Sequence, residues 1–500
     1  MLDRRSLLKY GAVAGSALLA PSAVVTAARA ASAPAAAGSG AAPSAAPQGH
    51  VHAHGAAAVP VDAPGITATP FSVPLPIPRT LRPTHRSRDA DHYTLTHAPA
   101  EEEIFLGTRT AIYAYGGSFV GPTIRARRGR AVTITHHNGL ADPTTVHLHG
   151  GHVPADSDGY PMDLIAPGAS KTYRYPNSQP SATLWYHDHA HGLEAEHVYR
   201  GLHGFYLLED PAEWRLRLPG GRYDIPLLLN DAQFDADGQL VWRMNDFINR
   251  RTVLVNGRPQ PYLRVAARRY RLRLLDAANL RSFALSLSTG DPLVQVASDG
   301  GLLPAPASVP AVSISPGERA EVVVDFSRYA PGTQVFLVDA VAGQLLRFDV
   351  VDHAFDLSRV PAQLRQMPGL PTPTTTRQVS LGMDLPTGTF RINGKLFDMD
   401  RVDAVIQRGT SEVWEITNTD TMLGIPHNLH LHLVQFRVLT RNGQPPAPTE
   451  AGFKDTVPVA PGEVVRVLAT FGDYVGRYVY HCHLLDHSAT GMMAQFEVVA

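Results

Sequence analysis

Cysteine is all but missing from this 500-residue chain, occurring once, as Cys482. One thiol excludes an intrachain disulfide framework and any zinc or iron–sulfur site built on several cysteines. Charge is scarce as well. Charged residues make up 18%, and 44 Lys and Arg nearly balance 45 Asp and Glu, for a formal net charge of -1. That balance gives no footing for a nucleic-acid binder. Beyond the N-terminus no stretch approaches the roughly 18 apolar residues of a membrane-spanning helix. Helical periodicity is rare too; a short helical turn is expected around Pro361 to Met367. What the chain does have is 42 Gly, 41 Pro and 23 His. Gly and Pro at that density suit many short strands and turns, and the length suits two to four domains.

The first residues read as an address. Arg4-Arg5-Ser6-Leu7-Leu8-Lys9 precedes an apolar run from Gly11 to Val25 and then Ala28-Arg29-Ala30. Paired arginines, a short apolar region and a small-residue cleavage site describe a twin-arginine export signal over residues 1–30. A membrane anchor would need a longer run with less Ala and Gly. The expected partner is the twin-arginine export machinery, and the expected destination is the periplasm or the exterior. Residues 31–64 are mostly Ala, Pro, Gly and Ser; they cannot bury a core and read as a disordered linker. His50, His52 and His54 within it are a weak metal-gathering tag or, more simply, a low-complexity accident.

A pattern then recurs three times. Residues 121–138 (GPTIRARRGRAVTITHHN), 261–279 (PYLRVAARRYRLRLLDAAN) and 403–418 (DAVIQRGTSEVWEITN) each run apolar strand, polar turn, alternating strand, Asn. The asparagines are Asn138, Asn279 and Asn418. A second marker, Ala166-Pro167-Gly168, Ser315-Pro316-Gly317 and Ala460-Pro461-Gly462, repeats at a similar period and leads each time into an alternating strand. Two markers at one period predict three homologous domains, and period-two alternation between close turns predicts β-sandwiches. The expected division is 65–212, 213–352 and 378–500, with 353–377 as a linker.

Histidines recur at i, i+2. The first domain holds His147-Leu148-His149-Gly150 and Trp185-Tyr186-His187-Asp188-His189. The third holds His427-Asn428-Leu429-His430-Leu431-His432 and His481-Cys482-His483, followed by His487 and Met492. The second domain has no such pair. Residues i and i+2 of a strand share a face, so each pair sends two imidazoles into one space. Burying eight unpartnered imidazoles would cost on the order of 1–3 kcal/mol each; a metal cluster removes that cost. If His481 and His483 face one way, Cys482 faces the other. One Cys, two His and a distant Met are the ligand set of a blue-copper site. His487 follows the strand, His427 is the odd one left after pairing His430 with His432, and Met492 is better spaced than Met493 for the axial place. One strand would then carry a mononuclear copper on one side and a cluster on the other.

In order and placement these four motifs resemble those of the multicopper oxidases over residues 70–500, with a look closest to bacterial spore-coat laccases and bilirubin oxidases. The resemblance implies an all-β chain of three cupredoxin-like Greek-key β-sandwich domains in tandem and four copper ions. His427, Cys482 and His487, with Met492 axial, would hold the type 1 copper; His147 and His430 the type 2; His149, His187, His189, His432, His481 and His483 the type 3 pair. Single electrons from a small-molecule reducing substrate would enter at the type 1 site and pass through Cys482, and dioxygen would become water at the cluster. Asp158 matches the family's proton-handling acid near the type 2 copper; its Asp158-Gly159 step also suits a turn. Three domains suffice for a monomer.

Two departures stand out. Asn428 replaces the proline common after the first His of the third motif, with an expected effect at the rim of the type 1 site. Ser488 replaces a glutamate that relatives often carry after the last His and that is linked to proton delivery, which suggests another route through Asp486. The leading expectation is a laccase-like oxidase of phenols and aromatic amines. Tetrapyrrole oxidation stays open. A cuprous or manganous oxidase would suit a Met-rich insertion, whereas the nine Met are scattered apart from Met492-Met493. Copper-free envelope proteins of this fold have lost their ligands; this chain keeps all twelve. A hydrolase of the GxSxG type has no motif here.

Overall fold

The computed structural model describes residue 62 and residues 65–500. The expected export signal, and His50, His52 and His54, lie outside the described residues. Asp62, at the end of the expected linker, is held: its N–H donates to Asn249 at 2.9 Å, and its carboxylate accepts from Gln233 at 2.6 Å and pairs with Arg243.

Of the described residues 48% are strand, built as three β-sandwiches in tandem with cupredoxin-like topology. Each repeat has the same spine. A first strand pairs in parallel with the alternating strand of the repeated pattern: Ala90–Glu102 with Ala131–Asn138, Asp224–Ala232 with Arg269–Asp276, and Thr375–Asp384 with Thr410–Asn418. That strand then pairs antiparallel with the one entered from the Pro-Gly turn: Ser170–Tyr175, Arg319–Asp325 and Val464–Phe471. A second sheet closes each sandwich. Alternation does the rest, turning one side of each strand inward. Val132, Ile134 and Leu184 fill the first core, Leu272, Leu274 and Val322 the second, Trp414, Ile416 and Val467 the third.

The repeat marker needs one correction. Asn138 and Asn418 fasten the end of their strands: each side-chain amide donates to two carbonyls at 2.8–2.9 Å, and each Oδ1 accepts the N–H two residues on. In the second sandwich that place belongs to Asp276, whose Oδ1 accepts from Ala278 N–H, while the carbonyl of Asp276 accepts from Gly317 as those of Asn138 and Asn418 accept from Gly168 and Gly462. Asn279, three residues later, instead reaches Ala195 and Asp486. The expected helical turn at Pro361 to Met367 is also absent. That stretch is irregular and is anchored by buried Leu364, whose N–H donates to the Pro304 carbonyl. Pro361 and Pro368 bracket it, leaving too few consecutive donors for a helix.

The three Pro-Gly turns share a left-handed glycine but not its surroundings. A Cβ at Gly168 (φ +77°) would meet nothing within 4 Å; at Gly317 (φ +88°) it would lie 2.9 Å from the His483 ring and 3.0 Å from His149. Backbone strain alone costs about 1–2 kcal/mol. Gly168→Ala should therefore lower the thermal midpoint modestly, and Gly317→Ala should lower it more and displace both rings. Equal midpoints for the two variants would contradict this packing.

Candidate metal centre

Two antiparallel strand pairs, one in each outer sandwich, carry the histidines. Val146–His149 lies on Ala182–Asp188 with His147 opposite His187. His427–Leu431 lies on Gly476–His481 with His430 opposite His481. The rings of His147, His149, His187, His189, His430, His432, His481 and His483 are all buried where the two sandwiches meet. They sort by distance into groups whose ligand nitrogens lie within 4.8 Å: His149, His187 and His483; His189, His432 and His481; and His147 and His430 with His432.

The far nitrogens of these rings are tied down. His147 Nδ1–H donates to the Asp158 carbonyl at 2.6 Å, His187 to the Asp188 carbonyl at 2.8 Å, His430 to the Asp455 carbonyl at 2.9 Å, and His481 to the Cys482 carbonyl at 3.0 Å. His432 Nδ1–H donates to the Asp158 carboxylate at 2.7 Å. A donor fixed at Nδ1 leaves Nε2 as a bare lone pair. Such lone pairs face one another between His147 and His430 at 3.3 Å and between His432 and His481 at 3.3 Å, and His189 Nε2 lies 3.1 Å from His481 Nε2. His187 Nε2, His189 Nδ1, His149 Nδ1 and both nitrogens of His483 are buried with no hydrogen-bond partner. Burial keeps the rings neutral, pushing His187 down to about 3 and His481 to about 4, with the others also well below the usual imidazole range. Lone pairs pointed at lone pairs in a dry site need cations between them. Neutral imidazoles with one nearby thiol are a donor set that suits copper.

Cys482 faces away from this cluster, although both neighbours belong to it. Its sulfur lies 3.7 Å from His427 Nδ1 and 3.8 Å from His487 Nδ1. Met492 is buried in the same core as Cys482, and its carbonyl accepts the Cys482 N–H at 3.1 Å. His427 Nε2–H donates to Asp420 at 2.7 Å. Burial opposes charge on this ring, but Asp420 and the neighbouring thiol outweigh it and raise His427 to about 9 in the metal-free chain. Phe390 stacks on His487 at 3.7 Å. His487, 5% exposed, is the ring of this group most open to solvent.

Asn428 corrects an expectation. It is not on a rim but fully buried, because its place on the strand turns its amide inward. Its Oδ1 accepts the His483 N–H at 2.6 Å, and its Nδ2 donates to the Pro316 carbonyl at 2.8 Å, tying the third sandwich to the second. Asp486 also departs from its expected role: its oxygens accept from Arg250, Asn279 and the Asn245 N–H, so it is engaged as a buried ion pair. His191 does not join the cluster; its ring packs on Phe397 at 4.8 Å. His136 pairs with His97, and His152 reaches Leu433 and Asp473.

Several supporting residues carried no sequence signal. Asp455 Oδ1 accepts from His149 Nε2–H at 3.0 Å while fully buried Arg319, from the second sandwich, grips both Asp455 oxygens at 2.6 Å. Asp299 and Lys454 extend the network. Such groups fix ring orientation, and whether on a loop, as Asp299 and Asp455, or at a strand end, as Arg319, their partners are set only by the fold. Asp420 and Phe390 were missed for the same reason; an Asp seven residues before a ligand has no periodic relation to it.

Models of the multicopper oxidase family match residues 100–213 and 368–500. The chain is similar to a laccase of Bacillus subtilis (strain 168), 33% identical over 87% of this chain and 99% of that protein. It is similar to a bilirubin oxidase of Albifimbria verrucaria, 38% identical over 85% of this chain and 81% of that protein. Among solved structures, a multi-copper oxidase from Pediococcus acidilactici superposes with a TM-score of 0.82 at 33% identity, covering 88% of this chain and 94% of that one. With the paired histidines and the lone thiol gathered as they are, this chain belongs to the multicopper oxidases, oxidoreductases that bind one type 1, one type 2 and two type 3 coppers.

Proposed function

We propose that this protein is an exported, laccase-like oxidase of phenols and aromatic amines, acting as a monomer of three domains over 65–212, 213–352 and 378–500. The observation that carries the reading is the lone sulfur of Cys482, aimed at His427 and His487 while its neighbours His481 and His483 join two separate histidine triads. His427, Cys482, His487 and Met492 would hold the type 1 copper. His147 and His430 are the type 2 ligands. His149, His187 and His483 form one type 3 site, and His189, His432 and His481 the other. Copper held at these donors would supply one-electron redox chemistry between a reducing substrate on the sulfur side and dioxygen on the imidazole side.

The chain's own residues set the conditions. The backbone joins Cys482 to one member of each triad, so two peptide-linked paths lead from the sulfur. His487 is the edge through which a flat aromatic donor approaches, beside Phe390. Asp158 holds the His432 ring and handles protons: burial pushes its carboxyl well up, and its Oδ1 has no hydrogen-bond partner. Export by the twin-arginine machinery rests on Arg4-Arg5 and the run that follows; no helix among the described residues is long and apolar enough to cross a membrane. A copper-free structural role has no support from a chain that keeps every ligand.

Oxygen uptake by copper-loaded protein with a phenol, bilirubin and a cuprous salt tests the substrate class. Uptake with the phenol is expected, uptake with bilirubin alone would move the assignment to tetrapyrroles, and uptake only with the cuprous salt would replace it by metal-ion oxidation. Cys482→Ser should lose the blue colour and all substrate oxidation while staying folded; a variant that remains blue would refute the sulfur ligand. Asp420→Asn removes a carboxylate that favours the more positive metal state, so the type 1 reduction potential should rise in a redox titration. Asp158→Asn should slow reoxidation by dioxygen more than anaerobic reduction by substrate; equal slowing of both would count against a proton role.

A further inference from the structure

Two segments that leave the cluster meet a second time. One leaves His189 and turns into α1 (Glu194–Arg200); the other leaves His483 and turns into α2 (Leu485–Ala489). Behind the cluster the helices pack through Ala195, Val198 and Leu485. At this contact the Ser488 hydroxyl donates to Glu194 Oε1 at 3.0 Å. Both residues are fully buried, and Glu194 Oε2 has no hydrogen-bond partner. A buried carboxyl with a free oxygen is costly unless it is neutral or used.

The neighbours of Glu194 do not neutralise it. Asp188, at the end of its strand, is engaged by His197 of α1 at 2.9 Å and by the N–H groups of Thr145 and Ala190. Glu196 of α1 pairs with Arg200. On α2, Asp486 is held by Arg250 and Asn279. Among the described residues no ion pair reaches Glu194, and the nearby negative charge of Asp188 reinforces the effect of burial.

We propose that Glu194, working with the Ser488 hydroxyl, is a second carboxyl, besides Asp158, that holds and passes protons for dioxygen reduction in this chain. This rests on the oxidase reading above. Reduction of one dioxygen breaks the O–O bond and forms two waters from four electrons, drawn from four one-electron oxidations of substrate, and four protons. Glu194 gives up its proton and regains one from solvent. Burial, with Asp188 adding to it, raises the carboxyl to about 8 against the pull of Ser488 and backbone N–H groups. It therefore carries a proton at neutral pH and loses it as pH climbs through about 8. The hydroxyl comes from the third sandwich and the carboxyl from the first.

Glu194→Gln tests this, since glutamine keeps size and the acceptor for Ser488 but cannot release a proton. Copper-loaded Glu194→Gln should match the wild type in copper content, blue colour and anaerobic reduction by a phenol. Its reoxidation by dioxygen should be roughly a hundredfold slower, without the wild type's decline as pH rises through about 8. Infrared spectra of wild type and variant at neutral pH should differ by one protonated-carboxyl band, present only in the wild type. Adding Ser488→Glu to Glu194→Gln returns a carboxyl to the contact and should restore reoxidation. Reoxidation of Glu194→Gln at the wild-type rate, absence of that band, or failure of the double variant to recover would overturn the assignment. A wild type that binds copper but consumes no oxygen with any donor would refute the oxidase reading itself.

Discussion

Imidazole lone pairs facing one another at hydrogen-bond distance, with no proton to share, would push apart in a dry interior. The rest of the molecule exists to hold them there. Six of the eight rings are fixed from behind by a carbonyl or carboxylate, and the carbonyls belong to the same strands and turns that the sandwich repeat builds. Coordination then converts a repulsive arrangement into an attractive one. This is why the two outer sandwiches supply every ligand, and why neither alone holds a complete set for the histidine cluster.

The middle sandwich donates no ligand but sets the spacing. Arg319 clamps Asp455, Pro316 receives the Asn428 amide, and Gly317 leaves just enough room for His149 and His483. Buried charges in it find partners, as Arg273 does with Asp224 and Glu321, which an interior of low polarity demands. A spacer of this kind must be rigid, since a shift of a fraction of an ångström would move two triads relative to each other.

Most of the fold was legible from the sequence because alternation and Pro-Gly turns are local. The histidine pairs were legible for the same reason: i, i+2 in a strand has one geometric meaning. The sequence could not show how six imidazoles divide into two triads, which depends on the register of strands some 280 to 300 residues apart. Asp276 hid because the second repeat swaps its amide for a carboxylate, and the nearby Asn279 offered a false match. Asn428 looked like rim because motif position says nothing about which way a side chain turns. Asp420, Asp455 and Glu194 reach the site through loops and helix ends, where no period exists to read.

Ligands at 147–189 and at 430–483 must come together before the histidine cluster can cage its metals. A ribosome has to finish almost the entire polypeptide first, and the middle sandwich has to fold between the outer two. Metal insertion is thereby a late event in the life of each molecule, and the ions act as a clasp between its two ends. Stripping them should loosen the junction of the outer sandwiches before it disturbs the interior of either, since binding energy that exists only in the assembled form stabilises that form alone.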